Sequence, residues 1–390
     1  MKTVNQHFSI TFKYPVHFTR DIFAPDNPLL AETIVNSSGA SNTKVTFVVD
    51  QGVHEQQTTI INQITTYCAQ YNQVNLALQP AVIQGGEAVK NNIQYLLNTL
   101  EIINTARLDR HACFIAIGGG ALLDMVGFAA AISHRGIRHL RIPSTVLSQN
   151  DAGMGVKNGI NYFGKKNFLG TFTPPAAVIN DSLLLTTLNN RDWIAGIAEA
   201  IKVALVKSPE FFNWIANNAA ALKSRDLVVM EKLIFQCARM HLQHIASSGD
   251  AFEQGSSRPL DFGHWSAHRL EQLSNYQVKH GEAVALGLAM DITYSKIKGF
   301  LSAKTWQNLI DCLRAVGFSI FHPLQLNSDK QGINPSLLAG LDEFREHMGG
   351  ELTIILISNP GESFEVHHMD ADALDQAVVT LYELHSNNAC

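Results

Sequence analysis

Between residues 44 and 185 β-branched apolar runs alternate with helix-patterned segments, and from about Trp193 onward that alternation stops. KVTFVVDQGV (44–53) is a β-branched run ending in a turn, and ACFIAIGGG (112–120) is another. Between them, QVNLALQPAVIQGGEAVKNNIQYLLNTLEII offers a strand-like piece and then a helix. HLRIPSTVL (139–147) and AAVINDSLLL (176–185) complete the set. Such alternation predicts a mostly parallel sheet with helices on both faces. Downstream, IAGIAEAIKVALV, VVMEKLIFQCARMHLQHIA, a histidine-rich stretch and ALDQAVVTLYELH all have helical patterning. Only ELTIILISN (351–359) looks strand-like there. The expected organisation is an α/β domain over 1–188 and a helical domain over 189–390. A cleft between two such domains is a favoured ligand site.

The chain has 390 residues, 46% apolar and 16% charged, enough for two domains with real cores. A net charge of −5 argues against a general nucleic-acid or anionic-membrane surface. Cys68, Cys113, Cys237, Cys312 and Cys390 are scattered and form no CxxC, which points to a reducing compartment. MKTVNQHFSITFKYP lacks the apolar core of a signal peptide. The longest apolar run, ALLDMVGFAAAIS, is short and carries Asp124, so it does not span a membrane. A cytoplasmic protein is the expectation.

DFGHWSAHRLEQLSNYQVKHGEAV (261–284) holds His264, His268 and His280. His264 and His268 are i and i+4, one turn apart on one face of a helix. His280 would open the next helix, GEAVALGLAMDITYSKI, with the turn around Asn275–Tyr276. Three imidazoles so placed can converge on a metal, and a catalytic zinc takes three protein ligands with one position open. Satisfied structural histidines are the equally open alternative. GIAEAIK places Glu199 and Lys202 at i and i+3 on an otherwise apolar helix. Buried, the two must be paired or bound to a metal or ligand, and a structural ion pair fits as well.

GGGALLDMVGF follows a strand and opens a helix. Gly118, Gly119 and Gly120 would let a phosphate approach the backbone at a helix N-terminus, although a plain tight turn fits too. Asp50, at a strand end, can accept from ribose hydroxyls. SQNDAGMGVKNGINYFGKKNFLG (148–170) carries Lys157, Lys165, Lys166 and Asn167 among glycines and aromatics. An anion pocket is preferred there over a solvated loop.

Taken together, VVDQGV, GGEAVKN, GGGALLDMVGFAAAISHRG, RIPSTVLSQNDAGMGVKNGIN, GKKN, AGIAEAIK, FGHWSAH and HGEAVALG resemble the sugar phosphate cyclases, the superfamily of 3-dehydroquinate synthase. The likeness covers roughly residues 44 to 295 in matching order and spacing. It implies an N-terminal Rossmann-like α/β domain, a C-terminal all-α metal-binding domain and a homodimer. It implies Glu199, His264 and His280 as ligands of zinc or cobalt, with His268 contacting substrate or phosphate. NAD would meet Asp50, Glu87, Lys90, Gly119, Gly120, Asp124, Ser144 and Thr145. Phosphate and substrate would meet Asp151, Lys157, Lys166, Asn167 and Lys202, and Arg135 would reach the neighbouring subunit's phosphate site. The implied chemistry is transient oxidation by NAD, elimination of phosphate, return of the hydride, ring opening and an intramolecular aldol closure.

The chain departs from 3-dehydroquinate synthase where that family binds the substrate's carboxylate. Asp261 stands in place of an asparagine, beside Arg258. Gln243 or His244 stands in place of a lysine, and FREHMGGELT lacks paired lysines. An aspartate beside a carboxylate puts like charges together, whereas it accepts readily from hydroxyls. RPLDFGHW resembles the RPVDAGHTW of the 2-epi-5-epi-valiolone synthases, although those have proline at the position of His268. The chain thus resembles a divergent cyclase, akin to the cluster-encoded group called EboD. A neutral ketose such as sedoheptulose 7-phosphate is expected over 3-deoxy-arabino-heptulosonate 7-phosphate. A metal-dependent polyol or glycerol-phosphate dehydrogenase and a non-catalytic binding protein are the competing classes.

Overall fold

The computed structural model describes residues 2–247, 251–252, 259–347 and 350–387. The chain divides into two compact units, Met1–Pro143 with Val156–Asp181, and Ser144–Gly155 with Ser182–Cys390. The run AAVINDSLLL stops being strand at Asp181 and continues as a 3-10 helix, Ser182–Thr187, in the second unit. The segment 144–155 also belongs there, held by Asn150 Nδ2 donating to the Gly196 carbonyl at 2.8 Å.

The strands of the first unit are β1 (Val16–Thr19), β2 (Thr43–Asp50), β3 (Val74–Leu76), β4 (Ala81–Ile83), β5 (Cys113–Gly118), β6 (Arg138–Pro143), β7 (Lys157–Tyr162), β8 (Lys165–Phe172) and β9 (Ala177–Asp181). Seven of them make one parallel sheet in the order β1-β9-β6-β5-β2-β3, with β4 also on β2. Every residue of central β5 is buried, which is why it reads as a continuous apolar run rather than an alternating one. Gly119 precedes the Gly120–Ile132 helix, which packs with the Ile93–Thr105 helix over Val48, Phe114 and Ala116.

The stretch expected as a lysine-rich pocket loop is largely an antiparallel hairpin, β7–β8. Its two-residue turn, Phe163–Gly164, has positive φ at both positions (51° and 71°), the conformation that matches hairpin twist. Gly159 faces Gly170 across the ladder, and a Cβ on either would meet the other strand's backbone at 2.7 or 2.6 Å. The fully buried Arg141 of β6 donates to the Lys157 carbonyl (3.0 Å) and Asn158 Oδ1 (2.7 Å), fixing β7 to the sheet.

Among the described residues the second unit is helical apart from a hairpin, β10 (Ile354–Asn359) with β11 (Glu362–Val366), and an isolated bridge between Leu326 and Ile333. Its core is built on the Ile197–Lys207 and His280–Ile297 helices, both buried on nearly all sides. Among the described residues no helix is long and apolar enough to cross a membrane.

Candidate active site

In the second unit three side chains meet. The helix expected around WSAHRLEQL runs His264–Leu273, and the next runs His280–Ile297 with Lys279 as its N-cap. The turn between them passes through Asn275 and Tyr276, both at positive φ. His264 and His280 therefore stand at the first positions of two helices that pack together. Glu199, on the Ile197–Lys207 helix, completes the group with no exposed surface. Its Oε1 is 3.2 Å from His280 Nε2 and 3.7 Å from His264 Nε2. One donor atom from each of the three lies within 4.8 Å of the others.

The far nitrogen of each imidazole is already committed. His264 Nδ1 lies 3.1 Å from the Phe262 carbonyl, and His280 Nδ1 lies 3.0 Å from Glu271 Oε2. Donation through Nδ1 leaves both Nε2 lone pairs turned toward Glu199, the arrangement that metal-binding histidines use. Burial, then the Lys202 ammonium, lowers the His264 pKa to about 3, so its imidazole is neutral. Lys202 Nζ lies 2.5 Å from Glu199 Oε2, yet neither Glu199 oxygen accepts a well-directed hydrogen bond. Burial alone would raise the Glu199 pKa, but its surroundings, the Lys202 ammonium foremost, hold the carboxyl well below its usual range. A buried carboxylate and two imidazole nitrogens facing one point fit a divalent cation.

Around this group stand Lys202, His268, Asp151 and Asp261. Burial opposes the charge on Lys202, but Glu199, Asp151 and Asp261 raise its pKa on balance. The His268 ring centroid is 5.3 Å from that of His264 and 5.9 Å from that of His280. Asp151, in the π-helical turn Ser148–Ala152, is 3.0 Å from His241 Nδ1.

Sequence reasoning missed His241 and Glu271. Gln243 is exposed and His244 half-buried; one turn earlier, His241 continues the buried stripe Met230, Leu233, Cys237 at helical spacing. Glu271 lies three residues after His268, on the face of its helix that carries both histidines.

The remaining candidates fall in two places. In the first unit, Lys90 is buried between Asp124 (2.7 Å) and Asn167 Oδ1 (2.5 Å). Glu87 joins them through Asn161, whose Nδ2 donates to Glu87 and whose Oδ1 accepts from Asn167 N. Asp50 caps the Gln51–Gln56 helix, and its carboxylate fills the space a Cβ on Gly85 would need (2.1 Å). Gly119 and Gly120 begin their helix, Lys157 and Lys166 lie on β7 and β8, and exposed Arg135 sits in a turn at φ 63°. Ser144 and Thr145 belong to the second unit, where Thr145 Oγ1 is 2.8 Å from Ser148 Oγ. Arg258 lies outside the described residues.

A Cβ on Gly281 would lie 1.9 Å from the Ala195 carbonyl oxygen. Gly281→Ala is therefore expected to push the His280 helix start off its neighbour and to destabilise the chain by about 1–3 kcal/mol or more, read by urea unfolding.

Residues 80–195 match the family model described as 3-dehydroquinate synthase N-terminal, and residues 196–333 match the 3-dehydroquinate synthase C-terminal model. A solved structure of ValA, the 2-epi-5-epi-valiolone synthase from Streptomyces hygroscopicus subsp. jinggangensis 5008 with NAD+ and Zn2+ bound, superposes with a TM-score of 0.86 at 26% identity, covering 98% of this chain and 100% of that one. A 2-deoxy-scyllo-inosose synthase complexed with carbaglucose-6-phosphate, NAD+ and Co2+ shares the fold, with a TM-score of 0.74 at 20% identity over 94% of this chain and 95% of that one. The architecture is that of the sugar phosphate cyclases. The 3-dehydroquinate synthase of Dichelobacter nodosus (strain VCS1703A) is 35% identical over 288 residues, 73% of this chain and 75% of that protein. The chain belongs to the 3-dehydroquinate synthase family, whose members are carbon–oxygen lyases acting on phosphates.

Proposed function

We propose that this chain is an NAD- and divalent-metal-dependent cyclase that converts a phosphorylated ketose without a carboxylate, sedoheptulose 7-phosphate by preference, into a carbocycle with loss of phosphate. The observation that carries the reading is the convergence of Glu199, His264 and His280 with Lys202 and Asp261 beside them. Glu199, His264 and His280 hold zinc or cobalt. Asp50, Glu87, Lys90, Gly119, Gly120, Asp124, Ser144 and Thr145 hold NAD. Bound there, NAD would supply reversible hydride transfer and the divalent ion Lewis-acid chemistry at a secondary alcohol of the substrate. Lys202, kept cationic by its acidic neighbours, donates to a substrate oxygen. Asp151 and Asp261 accept from substrate hydroxyls and so orient the ring. His268 exchanges a proton with phosphate or hydroxyl at its imidazole. Lys157, Lys166, Asn167 and Arg258 offer donors to the phosphate, and Arg135 does so from the neighbouring subunit of a cytoplasmic homodimer.

The name shared by the curated relatives supports a second reading, 3-dehydroquinate synthase activity on 3-deoxy-arabino-heptulosonate 7-phosphate. Purified protein with NAD and zinc or cobalt is offered each sugar phosphate in parallel, with phosphate and NADH absorbance followed. Phosphate from sedoheptulose 7-phosphate alone, with no lasting NADH, is the expected outcome. Efficient phosphate release from the carboxylated sugar would move the assignment to the second reading. Lasting NADH without phosphate would make the protein a dehydrogenase.

A further inference from the structure

Asp291 is fully buried within the helix that starts at His280, and nothing in the proposed chemistry uses it. Its two oxygens have separate tasks. Oδ1 accepts from Trp265 Nε1 at 2.9 Å, and Oδ2 accepts from Gly263 N at 3.1 Å. Gly263 and Trp265 are the two chain neighbours of His264. A buried carboxylate is costly to keep, and burial pushes this one's pKa up to about 7.

One turn earlier on the same face of the helix is Gly287. A Cβ there would lie 2.0 Å from the Gly263 carbonyl oxygen. Gly263 itself takes a left-handed conformation, φ 78°, and a Cβ on it would meet Leu288 N at 2.9 Å. The backbone just before His264 is therefore pressed onto the His280 helix at Gly287 and tied to it at Asp291. The helix that begins with one histidine grips the residues on either side of the other.

We propose that Asp291 is a positioning residue that sets where His264 stands relative to His280, and through that spacing the affinity of the site for its divalent cation. The inference rests on the metal reading above. Both oxygens are needed, because each holds a different neighbour of His264. An asparagine supplies one acceptor and turns an NH2 toward the second N–H, leaving a buried donor unsatisfied.

The test measures zinc Kd by chelator competition, and the visible absorption spectrum of the cobalt-loaded protein, for the wild type, Asp291→Asn and Trp265→Phe. Unfolding midpoints are recorded with and without metal. Asp291→Asn is expected to weaken zinc about 10- to 100-fold, the range seen when supporting partners of metal ligands are removed, and to shift the cobalt bands. Trp265→Phe should move both in the same direction by less. The gain in midpoint on adding metal should shrink in both variants. If Asp291→Asn lowers the metal-free midpoint but binds zinc with wild-type Kd and an unchanged cobalt spectrum, Asp291 is only a fold-stabilising residue and the proposal fails. If the wild type binds neither ion, the metal reading itself falls, an outcome distinct from equal binding by all three proteins. Should Asp291→Asn not fold, Trp265→Phe, which removes one donor and keeps the carboxylate, decides the matter alone.

Discussion

Replacing Glu199 with glutamine is expected to reduce phosphate release about a thousandfold, equivalent to the several kcal/mol of transition-state stabilisation that a metal supplies. The same change should destabilise the fold. Lys202 is nearly as buried as Glu199 and lies 2.5 Å from it. Removing one member of a buried pair strands the other, at a cost of about 3–5 kcal/mol. Asp151 and Asp261 also favour the charge on Lys202, which places the expected loss at the lower end of that range. Two effects of one mutation can be separated by a second. In Glu199→Gln with Lys202→Met the stranded ammonium is gone, so stability should return to within about 1 kcal/mol of the wild type. Activity should stay lost, because neither the ligand nor the donor is restored. Phosphate release and urea midpoints on the three proteins check this. A Glu199→Gln protein that turns over at the wild-type rate would remove Glu199 from the metal site.

How much of this arrangement is legible in the sequence depends on whether a residue's role follows from its own helix. His264 and His268 were visible as an i, i+4 pair, and His280 as a helix opener after a turn; the His264–Leu273 and His280–Ile297 helices bear this out. Glu271 lies on the same face of its helix but passes for an ordinary solvated glutamate. Only tertiary packing buries it against His280 Nδ1. His241 is within reach of helix phase, since it follows Cys237 by one turn, whereas the family resemblance points to Gln243 or His244.

The parallel strands were legible because burial on both faces forces unbroken apolar runs, as in β5. The hairpin β7–β8 was not. Its strands carry asparagine, glycine and lysine, and its pairing is set by a two-residue turn and two facing glycines rather than by apolar alternation. β1, four residues long, is likewise defined by pairing with β9, a partner far away in the sequence.

Asp261 lies near enough to Lys202 to help hold its charge. The site therefore gathers Glu199, Asp151 and Asp261 around one buried lysine, a surplus of negative charge before any metal is counted. Three carboxylates against one ammonium leave two negative charges, which a divalent cation balances. An incoming carboxylate adds one back beside Asp261, and at about 6 Å and an effective dielectric of about 20 two like charges repel by roughly 3 kcal/mol. The ketose that lacks a carboxylate meets no such repulsion there, and its hydroxyls give Asp261 something to accept. Asp261→Asn keeps the size and one acceptor oxygen while removing the charge. It is expected to raise kcat/KM for 3-deoxy-arabino-heptulosonate 7-phosphate relative to sedoheptulose 7-phosphate by about 10- to 100-fold, as that repulsion implies after solvent screening. The gain should appear mainly in KM, because the repulsion acts on bound substrate and transition state alike. It should shrink in concentrated salt less than a surface effect would, since Asp261 is partly buried. Steady-state phosphate release on both sugars, for wild type and variant, measures the ratio. If the ratio does not move, the charge at position 261 is not what selects the substrate, and the preference must come from the shape of the site.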